Sequence, residues 1–159
     1  MDMSSFRTFR VEISQLLQAL RINVNKLVEP LTRAEGLTFL QFMVLSHIAD
    51  DESNVNINCL CSMTGMGQAN ASTLCKRLEQ EGLIKRERSR EDERIVNLSL
   101  TDEGRAVLER IYTSFFRYAD VLERYPEQDM QAIINGLHGI DSLLIAMLKY
   151  AEHNQQANS

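Results

Sequence analysis

The segment Gly67–Glu81 carries a polar face whose side chains can form specific hydrogen bonds. Apolar residues recur at helical spacing at Ala71, Leu74, Cys75 and Leu78. The other face carries amides, hydroxyls and bases, at Gln68, Asn70, Ser72, Thr73, Lys76, Arg77 and Gln80. Amide side chains can pair with the edge of adenine, and hydroxyls can reach a base or a phosphate oxygen. A face of this composition can also be merely solvated, so the neighbouring segments decide between the two interpretations.

A basic run lies a few residues after this helix. Between Lys85 and Arg90 there are four basic side chains and one acidic side chain, Glu87. The formal net charge of the chain is −5. A local basic patch on an acidic protein can still bind phosphates, because binding depends on the electrostatic field at the contact and less on the net charge of the chain. The alternative for a charge run alone is a solvated hairpin.

The segments around these side chains predict a helix, a turn, a second helix and a hairpin. A short helix over Ile57–Thr64 is followed by Gly65, which suits a tight turn. Gly82 ends the second helix. Two β-prone runs, Leu83–Arg88 and Arg94–Leu100, then flank a charged tip. This order is the plan of a winged helix-turn-helix.

Long amphipathic helices are predicted on both sides of this plan. The first has apolar residues at steps of three and four and is predicted to end at Pro30. A fifth helix, capped by Thr101, has an apolar stripe that continues to Leu122, and a sixth follows Pro126. Long helices with apolar stripes need a partner, so we expect a homodimer.

Two runs resemble a known family. Asp92–Arg94 (DER), followed by Leu100–Gly104 (LTDEG), resembles the D-x-R … L-T-x-x-G pattern of MarR-type transcriptional regulators. Arg77–Ile84 (RLEQEGLI) resembles the R-L-E-x-x-G-L-[IV] run directly before their wing. The resemblance implies a mostly α winged helix-turn-helix in a single domain. Its DNA-binding lobe would occupy residues 36–104, and residues 1–35 and 105–159 would form the dimerisation helices.

The resemblance also implies which residues contact double-stranded DNA. Base contacts would come from the first half of the recognition helix, at Gln68, Asn70, Ser72 and Thr73. Lys76 and Arg77 would extend this set, with Arg77 either reaching a phosphate or holding the wing. The wing would contribute Asp92 and Arg94, and the basic run adds Arg88 and Arg90 as phosphate contacts. Arg94 would enter the minor groove, and Asp92 would pair with it or fix the tip.

The sequence departs from the family pattern at three positions. Arg90 stands where the family often has proline, and Glu93 stands where it often has a base. Glu91, Asp92 and Glu93 therefore make the wing tip less positive than usual. Gly67 occupies a position where a serine cap is common, which costs little because glycine is also accepted as a helix cap.

Other chemistry has no support in the sequence. Cys59, Cys61 and Cys75 are too few for a disulfide framework, and His47, His138 and His153 are scattered. We expect core or half-buried thiols and neither a metal nor a cofactor. No phosphate loop, catalytic triad spacing or H-E-x-x-H is present, so we do not expect an enzyme.

The resemblance implies a homodimeric, ligand-responsive repressor that binds a palindromic operator. A small aromatic or anionic effector, implied by the resemblance, would bind where the long helices meet the DNA-binding lobe, near Arg21 and His47. Without a secretory signal or an uninterrupted apolar run, we expect a cytoplasmic protein that does not contact a membrane. The alternative is a protein-interaction module whose winged helix no longer binds DNA, which the acidic tip favours.

Overall fold

The computed structural model describes residues 2–51, 55–89, 92 and 94–157. They form two compact units, one extending to Phe115 and one starting at Phe116. The first contains α1 (Met3–Ala34), α2 (Phe39–Asp50), α3 (Ile57–Thr64), α4 (Gln68–Gln80), β1 (Ile84–Arg88), β2 (Val96–Leu100) and α5 (Asp102–Phe115). The second contains a 3-10 turn (Phe116–Tyr118), α6 (Ala119–Leu122) and α7 (Glu127–Ala157). The predicted mostly α winged helix-turn-helix is confirmed.

The core of the first unit lies where α2, α3, α4 and α5 pack against the hairpin. Its largest fully buried side chains are supplied by all of these elements, and include Leu45, Ile48, Leu60, Leu78, Ile84 and Ile111. Fully burying one such side chain stabilises a fold by about 1.5–3 kcal/mol. This burial fixes the apolar face of α4 and leaves its polar face outside.

The wing is a two-stranded antiparallel hairpin that is joined by a third short segment. Ile84 pairs with Leu100 at its base, and Arg88 pairs with Val96 near its tip. The Leu98 N–H donates to the carbonyl of Val55 at 2.8 Å, beside a single bridge between Asn56 and Asn97. The segment before α3 therefore ties the hairpin to the helix-turn-helix.

Local capping sets several helix boundaries where the sequence predicts them. Thr38 and Gln41 form a reciprocal capping box at the start of α2, and Asn56 caps α3 through its side chain. Thr101 Oγ1 accepts from the Gly104 N–H at 3.0 Å at the start of α5. These caps involve residues only two or three positions apart, so the sequence alone can reveal them.

The first helix continues past the position predicted for its end. Pro30 lies inside α1, which ends at Ala34. A proline within a helix removes one backbone hydrogen bond and crowds the preceding turn. Here Val28 and Leu31 are buried around it, and this packing offsets the local cost. The left-handed Gly36 (φ 72°) then terminates the helix instead.

The fifth helix stops earlier than predicted. Its apolar stripe continues to Leu122, but α5 ends at Phe115 and a 3-10 turn follows. The last turn is rich in aromatic and hydroxyl residues, which have low helix propensity. The Ser114 hydroxyl also donates to the carbonyl of Arg110 at 2.9 Å, a contact that often bends helices. Both effects act against a continuous helix here.

The long helices expose apolar side chains in the single chain. On α1 these include Leu16, Leu20 and Val24, and on α7 they include Ile133, Leu137, Leu144 and Leu148. By length and composition alone, Glu127–Ala151 could cross a membrane, with a mean hydropathy of 1.3. The sequence expectation considered only uninterrupted apolar runs and so did not anticipate this. An amphipathic helix that packs against another helix has the same length and composition.

Candidate nucleic-acid interface

Helix α4 presents its polar residues to solvent. Ala71, Cys75 and Leu78 are buried on its inner face. Gln68, Asn70, Thr73, Lys76 and Arg77 are exposed, and Ser72 is half-buried. The exposed face of α4 can therefore reach an extended surface such as the edge of a duplex.

The turn before α4 leaves its first backbone amides without a side-chain cap. Gly65 adopts the left-handed conformation (φ 70°) and closes α3 by donating to the carbonyl of Cys61 at 2.9 Å. Gly67 then occupies the N-cap position of α4 without a side-chain hydrogen bond. Uncapped amides at a helix N-terminus favour an anionic partner, and a phosphate of DNA is one.

Two of the predicted base-contacting residues already have partners within the protein. The Gln68 amide donates from Nε2 to Oδ1 of Asn58 at 2.8 Å, which joins α4 to α3. The Thr73 hydroxyl donates to the carbonyl of Ala69 at 2.8 Å, so its oxygen remains as an acceptor. Sequence reasoning missed Asn58 because its link to Gln68 spans ten residues and leaves no local signal.

The wing arginine lies next to the first half of α4. Arg94 lines a crevice of about 200 Å³ together with Asn58, Gln68 and Ser72. The remaining walls come from Asn56 and Ile57 at the start of α3 and from Ile95 and Val96 at the start of β2. The structure thus brings together, on one surface, residues that the sequence assigned separately to the helix and to the wing.

Asp92 shapes the turn that carries Arg94. Its Oδ1 accepts from the backbone N–H of Arg94 at 2.9 Å. The carbonyl of Asp92 accepts from Ile95, and the Ser89 N–H donates to Ile95, each at 2.9 Å. These contacts close the hairpin and correspond to the tip-fixing role among the two considered for Asp92. Arg88 is exposed at the end of β1, whereas Arg90, Glu91 and Glu93 lie outside the described residues.

An ion pair joins the wing to the recognition helix. Arg86 Nη1 on β1 contacts Glu79 Oε2 on α4 at 3.3 Å, and the Arg86 side chain is only 16% exposed. Arg77 instead contacts Glu81, the residue at the C-cap of α4, at 2.9 Å. The ion pair between β1 and α4 is thus made by Arg86, and the role of Arg77 toward DNA stays a prediction.

The remaining candidates lie away from this surface. Arg21 is exposed on α1, and His47 is half-buried in the last turn of α2. Neither lines the crevice beside Arg94. Their place in an effector pocket stays a prediction.

The three cysteines are free thiols. Cys75 is buried, and this burial raises the pKa of its thiol to about 11, although the nearby Arg86 acts in the opposite direction. Cys59 and Cys61 are half-buried. Within the described part of the chain, no three His, Cys, Asp or Glu side chains form a group that could hold a metal ion.

The chain is similar in sequence to known transcriptional regulators. The family model described as transcriptional regulator SarA/Rot matches residues 26–111. The HTH-type transcriptional regulator MgrA of Staphylococcus aureus is 44% identical over 72 residues, which cover 45% of this chain and 48% of MgrA. The chain thus matches about half the length of this relative.

Solved structures show the same fold. Staphylococcus aureus MarR in complex with salicylate and kanamycin superposes with a TM-score of 0.73 at 21% identity, covering 89% of this chain and 96% of that one. The S. aureus MepR–DNA complex gives a TM-score of 0.70 at 19% identity, covering 83% and 97%. The resemblance to MarR-type regulators is confirmed: this chain belongs to the SarA/Rot family of transcriptional regulators and has the MarR-type winged helix-turn-helix fold.

Proposed function

We propose that this protein is a homodimeric transcriptional repressor that binds a palindromic operator in double-stranded DNA. The observation that carries the proposal is the placement of Arg94 beside the exposed first half of α4. An α-helix fits the major groove, and a guanidinium on an adjacent hairpin suits the narrow, electronegative minor groove. A single surface can therefore contact both grooves.

The residues of this surface divide into two functional groups. Gln68, Asn70, Ser72 and Thr73 would select bases, since amides and hydroxyls can read the major-groove edge. Lys76, Arg77, Arg88 and Arg94 would bind the backbone or the minor groove, where contacts add affinity more than sequence choice. Arg90, which lies outside the described residues, is proposed for the same role from its sequence position alone. Asp92 would hold the turn that presents Arg94.

A dimer would present two such surfaces. The exposed apolar side chains of α1 recur at helical spacing, at Leu16, Leu20, Val24 and Leu27, and so form a stripe. A large exposed apolar patch on a protein marks an interaction surface. Two copies related by a twofold axis would place their recognition helices one DNA turn apart, roughly 34 Å. The operator would then be palindromic, because its symmetry follows that of the protein.

The ligand response is the part supported only by similarity. The structurally similar MarR of S. aureus was solved with salicylate, a small aromatic anion. A comparable effector would shift the dimer between DNA-binding and released states by binding one of them more tightly. Arg21 and His47 are the side chains we propose for its pocket. We place the protein in the cytoplasm, where the DNA is.

A salt titration tests the proposed function. Binding to the DNA upstream of the protein's own gene should weaken steeply as salt rises, because each neutralised phosphate releases condensed counterions. Unrelated DNA of the same length should bind more weakly at every salt concentration. If neither DNA binds at low salt, the protein-interaction module becomes the better proposal. The acidic sequence of the wing tip, Glu91–Glu93, is the feature that favours that alternative.

A further inference from the structure

Gln41 is a buried polar residue that links the start of α2 to the end of α4. It is 2% exposed. Its Nε2 donates to Oε2 of Glu81 at 3.1 Å, although the two residues are 40 positions apart. The other carboxylate oxygen of Glu81 accepts from Nε of Arg77 at 2.9 Å. Hydrogen bonds therefore run without interruption from a buried amide to an exposed guanidinium on the recognition helix.

The amide of Gln41 is held in one orientation. Its Oε1 accepts from the backbone N–H of Thr38 at 2.9 Å and from the Thr38 hydroxyl at 3.0 Å. An amide whose oxygen is used in this way must present its NH₂ group on the other side. That side faces Glu81. The capping box thus fixes the position of the NH₂ group that donates to Glu81.

The capping box of Thr38 and Gln41, which we call the anchor of the Gln41 amide, is bonded to the end of α1. The residue before the cap, Leu37, donates its N–H to the carbonyl of Thr32 at 2.9 Å. Thr32 and Leu37 are both buried. The position of Gln41 is therefore set by the packed junction of α1 and α2 and does not depend on the surface of α4.

The anchor changes what the Arg77–Glu81 pair can do. An exposed ion pair between residues four apart is usually weak, because two flexible side chains lose freedom when they meet. Here Gln41 already holds the carboxylate, so less freedom is lost. Arg77 is bound through Nε, and its side chain is 67% exposed. Because this contact uses Nε, a phosphate could be bound through the two terminal nitrogens.

We propose that Gln41 is a positioning residue for DNA binding, and that it acts through Glu81 to orient the Arg77 guanidinium toward a phosphate beside the major groove. This inference rests on the proposed function. It adds a buried residue, outside the winged surface, to the groups that determine DNA affinity.

The experiment is a double-mutant cycle measured by DNA affinity. Gln41→Met keeps the length of the side chain and removes its hydrogen bonds. We expect it to weaken binding about threefold to tenfold, as expected for impairing one phosphate contact, and to lower the salt slope by a fraction of one unit. In an Arg77→Ala background the same change should have little further effect. In an Arg94→Ala background its effect should be undiminished, because distant sites act independently.

A control separates positioning from lost stability. Ile48 is fully buried on the same helix as Gln41. Ile48→Val should lower the melting temperature without changing the affinity for DNA. If Gln41→Met weakens binding equally with and without Arg77, or if Ile48→Val weakens it as much, the inference is wrong. If Gln41→Met does not fold, Gln41→Leu takes its place in the cycle, because leucine also lacks the amide that donates to Glu81 and is another apolar residue of comparable size.

A measurement on the protein without DNA distinguishes failure of this inference from failure of the proposed function. The Nε–H resonance of Arg77 should be sharp and slow to exchange in the parent protein, and broader and faster to exchange in Gln41→Met. If the Arg77 Nε–H resonance is the same in the parent protein and in Gln41→Met, Gln41 does not position Arg77, whether or not the protein binds DNA. If the difference is present but the parent protein binds no DNA at low salt, Gln41 does orient Arg77 and only the proposed function fails.

Discussion

Gly104 lies directly against the backbone carbonyl of Leu83, so that a Cβ atom at position 104 would overlap that oxygen. The same region is joined by Thr101, whose hydroxyl donates to the carbonyl of Gly82 at 2.6 Å and whose N–H donates to that of Leu83 at 3.1 Å. The start of α5 is thereby packed onto the chain that leaves α4. The L-T-x-x-G run is thus a packing motif that sets where the hairpin begins.

Gly104→Ala should therefore destabilise the fold. The added methyl group meets backbone, which cannot rotate away, and overpacking of this kind costs about 1–3 kcal/mol. Thermal or urea unfolding of the variant measures this cost. Gly67→Ser is the matched control, since a side chain there meets open space and gains a helix cap. A Gly104→Ala variant that melts with the parent protein would show that the contact relaxes easily.

The local parts of this fold could be predicted from the sequence, and the long-range parts could not. The cap at Asn56 and the turn at Gly65 depend on neighbouring residues, and so does the stop at Gly82. The end of α1 was predicted wrongly at Pro30, because the helix continues where Val28 and Leu31 are buried, and this tertiary packing leaves no local sequence pattern.

The same distinction holds at the candidate site. The exposed face of α4 follows from helical periodicity, and the position of Arg94 follows from the hairpin. The contact between Gln41 and Glu81 spans 40 positions, and the one between Glu79 and Arg86 depends on how the wing folds back. Contacts of this kind do not occur at a fixed separation in sequence, so they could not be predicted from the sequence alone.

The exposed stripe on α1 predicts the oligomeric state. The protein should have about twice its monomer mass of 18.2 kDa in light scattering at micromolar concentration. Leu16→Asp should shift it toward the monomer, because Leu16 is 59% exposed in the single chain and a charge in an apolar interface is unfavourable. Gln18→Asp puts the same charge on the opposite side of the helix and should leave the dimer intact. A parent protein that is monomeric at these concentrations would contradict the proposal.

The buried thiol of Cys75 predicts how stability changes at alkaline pH. Burial raises its pKa from 9.0 to about 11 in the folded state. Between these values the unfolded chain loses the proton first, so folding stability falls as pH rises, by at most about 1.4 kcal/mol per pH unit. Cys75→Ala lacks this contribution. The stability difference between parent and variant should therefore shrink from pH 8 to pH 10.5 in urea unfolding. A difference that stays constant would mean that the thiol titrates normally.

Asn70 tests sequence recognition on α4. It is exposed on the first half of the helix, and an amide there can pair with both hydrogen-bonding atoms of an adenine edge. Asn70→Ala should lower affinity for the operator by about 5-fold to 150-fold, which corresponds to the loss of about 1–3 kcal/mol of base discrimination, and should change affinity for unrelated DNA little. Competition binding with both DNAs measures the ratio. Equal losses on both DNAs would assign Asn70 to the backbone.

Arg94 tests the wing. Its turn is ordered by the carboxylate of Asp92, and its side chain lines the crevice beside Gln68 and Ser72. A guanidinium in the minor groove supplies affinity more than sequence choice, because that groove distinguishes bases poorly. Arg94→Ala should thus weaken binding to operator and unrelated DNA by similar factors. It should also reduce the salt slope by about one unit.

The control for Arg94→Ala removes the same charge elsewhere. Arg33 pairs with Glu29 on α1, and Arg33→Ala should leave affinity and salt slope nearly unchanged. A thermal melt should show that both variants remain folded, since exposed arginines contribute only about 0–1 kcal/mol through their ion pairs. A folded Arg94→Ala variant with the affinity and salt slope of the parent would remove the wing from the mechanism, and DNA contact would then depend on α4 alone.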